Sequence, residues 1–380
     1  MEYRKIIEKL EEAALHPSKT VTNTIKSTGK SAIGCFPIYT PEEIIYAAGY
    51  VPVGMWGGTT TLQLADKYLQ SFCCSIMRSN MEYGMKGAYN MLEAVILPTF
   101  CDTLKCICEN WKVGVPNIPI IPIVYPQNRT LECGYVYMLD EFKRVKVEIE
   151  RLSGKKIEEK DIEAAFDIYE EYRVTMREFV EIVADYPQII KTKSRHLIIK
   201  AGQFLDKGEY TKDIKAIIDG LKVEEKQTFK GTKIIATGLM SEPVELLEIF
   251  DENQIAIVGD DLAQESRQWR TVTRDDEVDV WNKMTSRVAD QRGDTFFYEY
   301  MKSRGENLID MVKEKSADGI VVFMMKFCDP EEYDYPIYKK EVEAAGIPML
   351  YLEIDQQITS YEQLRTRIQS FSEMLISREA

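Results

Sequence analysis

The apolar positions of this chain fall into two rhythms. From residue 233 onward, short unbroken apolar runs at 233–237, 254–258, 320–325 and 349–354 alternate with helical stripes at 243–250, 307–315, 338–345 and 360–376. The runs lack strict in–out alternation, as expected of strands buried on both faces, and strand–helix alternation predicts an α/β layer around a parallel sheet. The N-terminal third reads the same way. Ile6, Ile7, Leu10, Ala13 and Ala14 mark a helix over 3–15, and 51–56, 95–97 and 118–124 read as strands. The prolines of 118–124 suit an irregular or edge position. Thr40-Pro41-Glu42-Glu43 reads as a helix start, with Thr40 as N-cap, Pro41 in the first helical position and a stop near Gly49. Residues 62–89 read as mostly helical.

The middle of the chain has few helix breakers. Residues 142–152, 161–186 and 192–221 read as helices, and Ile162, Ala165, Phe166, Tyr169, Tyr172, Met176 and Val180 share one face. The expected fold is therefore α/β, with two open parallel-sheet domains and flanking helices. These are a domain at 1–135, a helical linking segment at 136–225 and a second domain at 226–380.

Two stretches match in context as well as in letters. Ala94-Val-Ile-Leu-Pro-Thr-Phe-Cys-Asp102 and Gly319-Ile-Val-Val-Phe-Met-Met-Lys-Phe-Cys-Asp329 are both apolar runs ending in Phe-Cys-Asp. Each reads as a buried strand carrying a cysteine to its C-terminal end, where open parallel sheets place their ligands. A shared site in the crevice between the two sheets is the expectation. The eight cysteines are few for a disulfide scaffold of 380 residues. Cys35, Cys74, Cys101 and Cys328 come from scattered places without the compact spacing of structural zinc or ferredoxin sites. On the residues alone, three readings stay open: a metal or iron–sulfur site, inert buried cysteines, or a single reactive thiol. Cys106 and Cys108 are two apart, a spacing that turns their thiols in different directions on a helix.

Composition narrows the partners. The formal net charge is −14, which argues against nucleic-acid binding because a backbone-tracking groove needs a basic face. The charged start lacks a signal-peptide core and no apolar run reaches membrane-spanning length, so a cytoplasmic protein is expected.

Six motifs carry a family resemblance over nearly the whole chain. They are Ala32-Ile-Gly-Cys35-Phe-Pro, Pro41-Glu-Glu-Ile-Ile-Tyr-Ala-Ala-Gly49, Cys101-Asp-Thr-Leu104, Asp260-Asp-Leu-Ala-Gln-Glu-Ser-Arg267, Phe323-Met-Met-Lys-Phe-Cys-Asp-Pro-Glu-Glu-Tyr-Asp-Tyr-Pro336 and Asp355-Gln-Gln357. With them the chain resembles the β subunits of 2-hydroxyacyl-CoA dehydratases, near the 2-hydroxyisocaproyl-CoA and phenyllactyl-CoA enzymes. The wider group includes benzoyl-CoA reductases.

The resemblance implies a 4Fe–4S cluster between two α/β domains, with Cys74, Cys101 and Cys328 as its ligands and Cys35 as the candidate fourth. Cys73 is the adjacent decoy, turned away by the helical repeat. The implied reaction is syn elimination of water from an (R)-2-hydroxyacyl-CoA to an (E)-2-enoyl-CoA through a ketyl radical anion. A homologous α subunit, forming a heterodimer with this chain, would bind most of the substrate and carry the catalytic residues. An ATP-dependent iron–sulfur activator would supply the electron, which this chain relays. Asp102, Lys326 and Asp329 adjoin the implied ligands and are candidates to tune the cluster; surface ion pairing is the alternative for each. Glu42, Asp260, Glu265, Arg267, Glu331 and Glu332 lie near strand ends, as substrate contacts or as interdomain salt bridges. Glu331-Glu332 is expected to be a solvated helix start, and His16 and His196 to lack an acid–base setting. The alternative functions are a benzoyl-CoA-reductase-like subunit, a non-catalytic iron–sulfur protein and a small-molecule-binding module.

Overall fold

The computed structural model describes residues 2–379. Eight strands form two four-stranded sheets. The first contains β1 (Ala32–Cys35), β2 (Val51–Gly54), β3 (Leu92–Pro98) and β4 (Ile120–Ile123), in the order β2-β1-β3-β4. The second contains β5 (Thr232–Gly238), β6 (Ile255–Leu262), β7 (Gly319–Met325) and β8 (Met349–Ile354), in the order β6-β5-β7-β8. Every pairing is parallel. The two sheets therefore share one wiring. In each, the second strand lies to one side of the first and the third strand to the other. That reversal opens a crevice at the C-terminal ends of the first and third strands.

The apolar runs behave as expected for doubly covered strands: all seven residues of β7 are buried. The proline-bearing β4 is an edge strand, where a missing N–H costs no ladder bond.

One strand is added to the expected set and two local expectations are corrected. Residues 32–35 form a strand that the glycine and proline around them concealed, with all four positions buried. The segment 62–89 is not mostly helical: its α-helix spans only Ser75–Met85, after a single 3₁₀ turn at Ala65–Lys67. That stretch is held by Glu82, which accepts from the amides of Gln63, Leu64 and Ala65 at 2.8–3.0 Å. At residue 40 the helix starts later than expected. Pro41 is the cap of Glu42–Ala47, while the Thr40 hydroxyl donates to the Phe36 carbonyl at 3.1 Å.

Four helices occupy the middle: Glu132–Ser153, Glu159–Val183, Thr192–Ala201 and Lys207–Lys222. The first helix of the chain, Glu2–Leu15, packs on the last two of them, and Tyr3, Leu10 and Ala14 join their apolar cluster. Gly220 permits this contact, because a Cβ there would sit 2.4 Å from the Tyr3 ring. The principal core runs through both sheets, from Ile33, Val95 and Leu97 to Ile234, Val321 and Phe323. No helix among the described residues is long and apolar enough to cross a membrane.

Candidate cysteine centre at the junction of the two sheets

Cys74, Cys101 and Cys328 line one small cavity, walled by Pro37, Ile38, Leu239, Ala263 and Phe296 among others. The walls come from loops after β1, β3, β5, β6 and β7, so the C-terminal edges of both sheets meet here.

Each of the three cysteines is the N-cap of a helix. Cys74 precedes Ser75–Met85, Cys101 precedes Asp102–Gly114 and Cys328 precedes Asp329–Ala344. A helix start presents unpaired amides and a partial positive charge, which favour an anion at the cap. Burial dominates the thiols and pushes all three up, Cys74 to about 12. First-turn amides pull the other way: Met77 and Ile76 for Cys74, Leu104 and Thr103 for Cys101, and Glu331 alone for Cys328, whose second helical residue is Pro330. The thiols also feel one another, with Cys74 and Cys101 both raising Cys328.

Cys35 does not join them. It ends β1 facing a different cavity, beside Glu42 and Lys207, and its thiol is pushed well up by burial and then by Glu42. Cys73 is buried but does not line the cysteine cavity. Cys106 is exposed and Cys108 packs into the core, so the two do not form a local pair. All eight cysteines are free. Among the described residues, no three His, Cys, Asp or Glu side chains close in on a single metal ion.

The neighbours of the cysteines divide. Asp102 is 92% exposed and pairs with Lys105 at 3.3 Å, and Lys326 lies 3.8 Å from Glu353. Surface pairing thus describes both. The carboxylates of Asp102 and Asp329 nevertheless add to the upward pressure on the Cys101 thiol.

A clamp joins the Cys74 helix to the second sheet. Gln356, just after β8, is 1% exposed. Its amide oxygen accepts from Ser79 Oγ at 3.0 Å and Gly58 N at 3.1 Å, and its amide nitrogen donates to the Trp56 carbonyl at 2.8 Å. Its backbone N–H donates to Ser75 Oγ at 3.1 Å. Gln357 adds bonds to Thr60 N and Gly58 O. The loop must be glycine at 57: φ is +73° and a Cβ would lie 2.6 Å from Gln356 Oε1.

Two expectations about charged groups are overturned. Glu331 is not solvated. It is fully buried, 3.2 Å from Arg267 and 2.8 Å from Arg304, both of which also hold Asp261. Glu332 stays exposed, so the two form no carboxylate pair. His196 is 1% exposed, with Nδ1 2.9 Å from Glu265 and Nε2 3.3 Å from Glu242. Burial lowers its pKa, but bonds to the two carboxylates outweigh that and raise it. Arg195 ion-pairs with Asp260 and Glu265 beside it. Asp260 and Glu265 therefore tie β6 and the turn after it to the helix Thr192–Ala201. The mixed signs of the 260–267 motif were the available signal; His196 offered none, because its partners lie 46 and 69 positions away.

Comparison with known proteins shows the family of the chain. The family model described as 2-hydroxyglutaryl-CoA dehydratase, D-component, matches residues 37–375. The chain is 44% identical to the lactoyl-CoA dehydratase subunit beta of Anaerotignum propionicum, over 97% of this chain and 98% of that protein. It is 42% identical to the (R)-phenyllactyl-CoA dehydratase beta subunit of Clostridium sporogenes, over 95% and 96%. It is 33% identical to subunit beta of the (R)-2-hydroxyglutaryl-CoA dehydratase of Acidaminococcus fermentans, over 97% and 99%. The chain belongs to the 2-hydroxyglutaryl-CoA dehydratase D-component family and is of the dehydratase β-subunit type.

Proposed function

We propose that this chain is the electron-relaying β subunit of a cytoplasmic (R)-2-hydroxyacyl-CoA dehydratase, with a 4Fe–4S cluster held by Cys74, Cys101 and Cys328. One observation carries the reading: three free thiols from distant positions line a single cavity at the junction of the two sheets.

The donor set fits such a group. Soft thiolates are the ligands iron–sulfur clusters take, and a polynuclear cluster spreads its ligands wider than a single ion does. That is in keeping with thiols that share a cavity without closing on one ion. When bound, the cluster supplies one-electron storage and transfer at a potential set by burial and by hydrogen bonds to sulfur. The chain supplies the rest. Burial favours neutral thiols, so ligation has to displace their protons, and the helix starts offset the charge that remains. Apolar walls exclude water. With Cys35 directed elsewhere, a water or sulfide completes the fourth position.

A homologous α subunit binds the 2-hydroxyacyl-CoA and eliminates water. This chain accepts an electron from an ATP-dependent activator and passes it to that partner. The cavity is small for a cluster together with an acyl-CoA, which supports assigning the substrate to the partner.

The test is anaerobic preparation with the partner subunit, with iron and sulfide analysis and turnover assays. The expected result is about four irons per chain, lost in Cys74→Ala, Cys101→Ala and Cys328→Ala and kept in Cys35→Ala. Turnover should need the partner, the activator and ATP. Catalysis by the isolated chain, or iron retained in all three alanine variants, overturns the reading.

A further inference from the structure

We propose that the polar cavity beside the cysteine centre is a binding site for one small inorganic anion of chloride size, held between Arg173 and Arg287. The cavity shares Pro37, Ile38 and Trp56 with the cysteine cavity. Its free volume is about 70 Å³. That is room for a single small ion and a few waters, and far less than an organic ligand needs. The inference does not depend on what the thiols hold.

Charge selects the occupant. Glu42, Glu43, Arg173, Lys207 and Arg287 are the charged residues of the lining, three cations against two carboxylates. Lys207 and Glu42 pair with each other at 3.4 Å. Glu43 is left to serve both arginines, and it does so with one oxygen: Oε1 lies 2.6 Å from Arg173 Nη1 and 3.5 Å from Arg287 Nη2. Outside the lining, Glu170 takes Arg173 Nε at 3.0 Å, but it also faces Arg177 at 3.4 Å. Arg287 is therefore under-compensated, and burial and then Arg173 lower its pKa. A buried cation short of a counter-charge is costly.

Hydrogen bonding shows where the ion sits. Arg173 Nη2 and Arg287 Nε are buried and have no partner among the described residues. Both belong to side chains on the cavity wall, and the Arg173 side chain is only 2% exposed. Water satisfies either N–H but leaves the charge uncompensated, whereas an anion does both. Gln203 Oε1 and Gln264 Oε1, on the same lining, also lack partners among the described residues. They are acceptors, so they take the waters that hydrate the ion. Glu43, Arg173 and Arg287 come from the helices Glu42–Ala47, Glu159–Val183 and Val280–Ala289. The ion would thus tie together three helices distant in sequence.

The test is thermal unfolding of the full chain, prepared anaerobically. Sodium chloride replaces sodium methanesulfonate stepwise at constant ionic strength, methanesulfonate being too bulky for the cavity. The melting temperature should rise by about 2 °C per ten-fold step in chloride once the site begins to fill, and bromide should act alike. Arg287→Gln, which keeps an N–H but not the charge, should lose this rise, with circular dichroism confirming its fold. A crystal of the parent chain grown in bromide should show an anomalous peak against Arg173 Nη2 and Arg287 Nε. The proposal is overturned if chloride and methanesulfonate give the same melting temperature, if the rise persists in Arg287→Gln, or if the bromide crystal shows ordered water alone on those two atoms.

Discussion

The turns after β3 and β7 are built alike and used differently. Each strand is followed by two residues ending in Phe, then a cysteine that caps a helix. Phe100, in the first turn, is buried and stacks on Tyr125 at 4.7 Å, with Phe297 edge-on at 5.1 Å. Phe327, in the second, is 37% exposed, with a left-handed φ of 62°. The third residue of the helix differs too. Leu104 is apolar and faces the cavity, whereas Glu331 is turned into the buried arginines Arg267 and Arg304. One wiring thus delivers a thiol by two means, an aromatic anchor on one side and an ionic one on the other. The shared frame sets where the cysteine goes, and the neighbours set how firmly it is held.

Cutting each anchor tests that contrast. The largest effect is expected from Glu331→Leu, which takes one shared carboxylate from two buried guanidinium groups and leaves them Asp261. It should cost about 3–5 kcal/mol in urea unfolding. Phe100→Ala should come close behind, at about 3–5 kcal/mol, while Phe327→Ala should stay within about 0.5 kcal/mol. Equal losses at the two phenylalanines would show that the turns are anchored alike. Gln356→Ala, which releases the third cysteine helix from β8, should cost about 1–3 kcal/mol for the amides left unpaired. Gln356→Glu, which keeps the acceptor, should recover only part of this, because the bond to the Trp56 carbonyl is lost.

The smallest effect is a pH dependence remote from both turns. The pKa of His196 is raised above 6.5 in the folded chain. Its contribution is therefore fully present below about 6.5 and fades as pH rises through the higher folded value. The melting temperature of the parent should fall more steeply between neutral and alkaline pH than that of His196→Gln. Parallel curves would remove the imidazolium from the account.

Much of this was legible in the residues. Strands such as β7 announce themselves because burial on both faces removes the alternation that would otherwise disguise them. The pairing of Cys101 with Cys328 followed from two matching strand ends. What escaped was non-local. The strand at 32–35 is too short, and too close to glycine and proline, to stand out. Residues 62–74 depend on the carboxylate of Glu82 for their path. The burial of His196 and Glu331 is decided by arginines and carboxylates distant in the sequence. Cys35 came only with the resemblance as a candidate fourth ligand, and the packing of Glu42 and Lys207 around it shows that it faces another cavity.

The clamp at Gln356 also sets a timetable for biosynthesis. The helix after Cys74 is made long before the residue that tethers it. A nascent chain stalled before β8 would hold all eight cysteines and still lack the tether on the Cys74 helix.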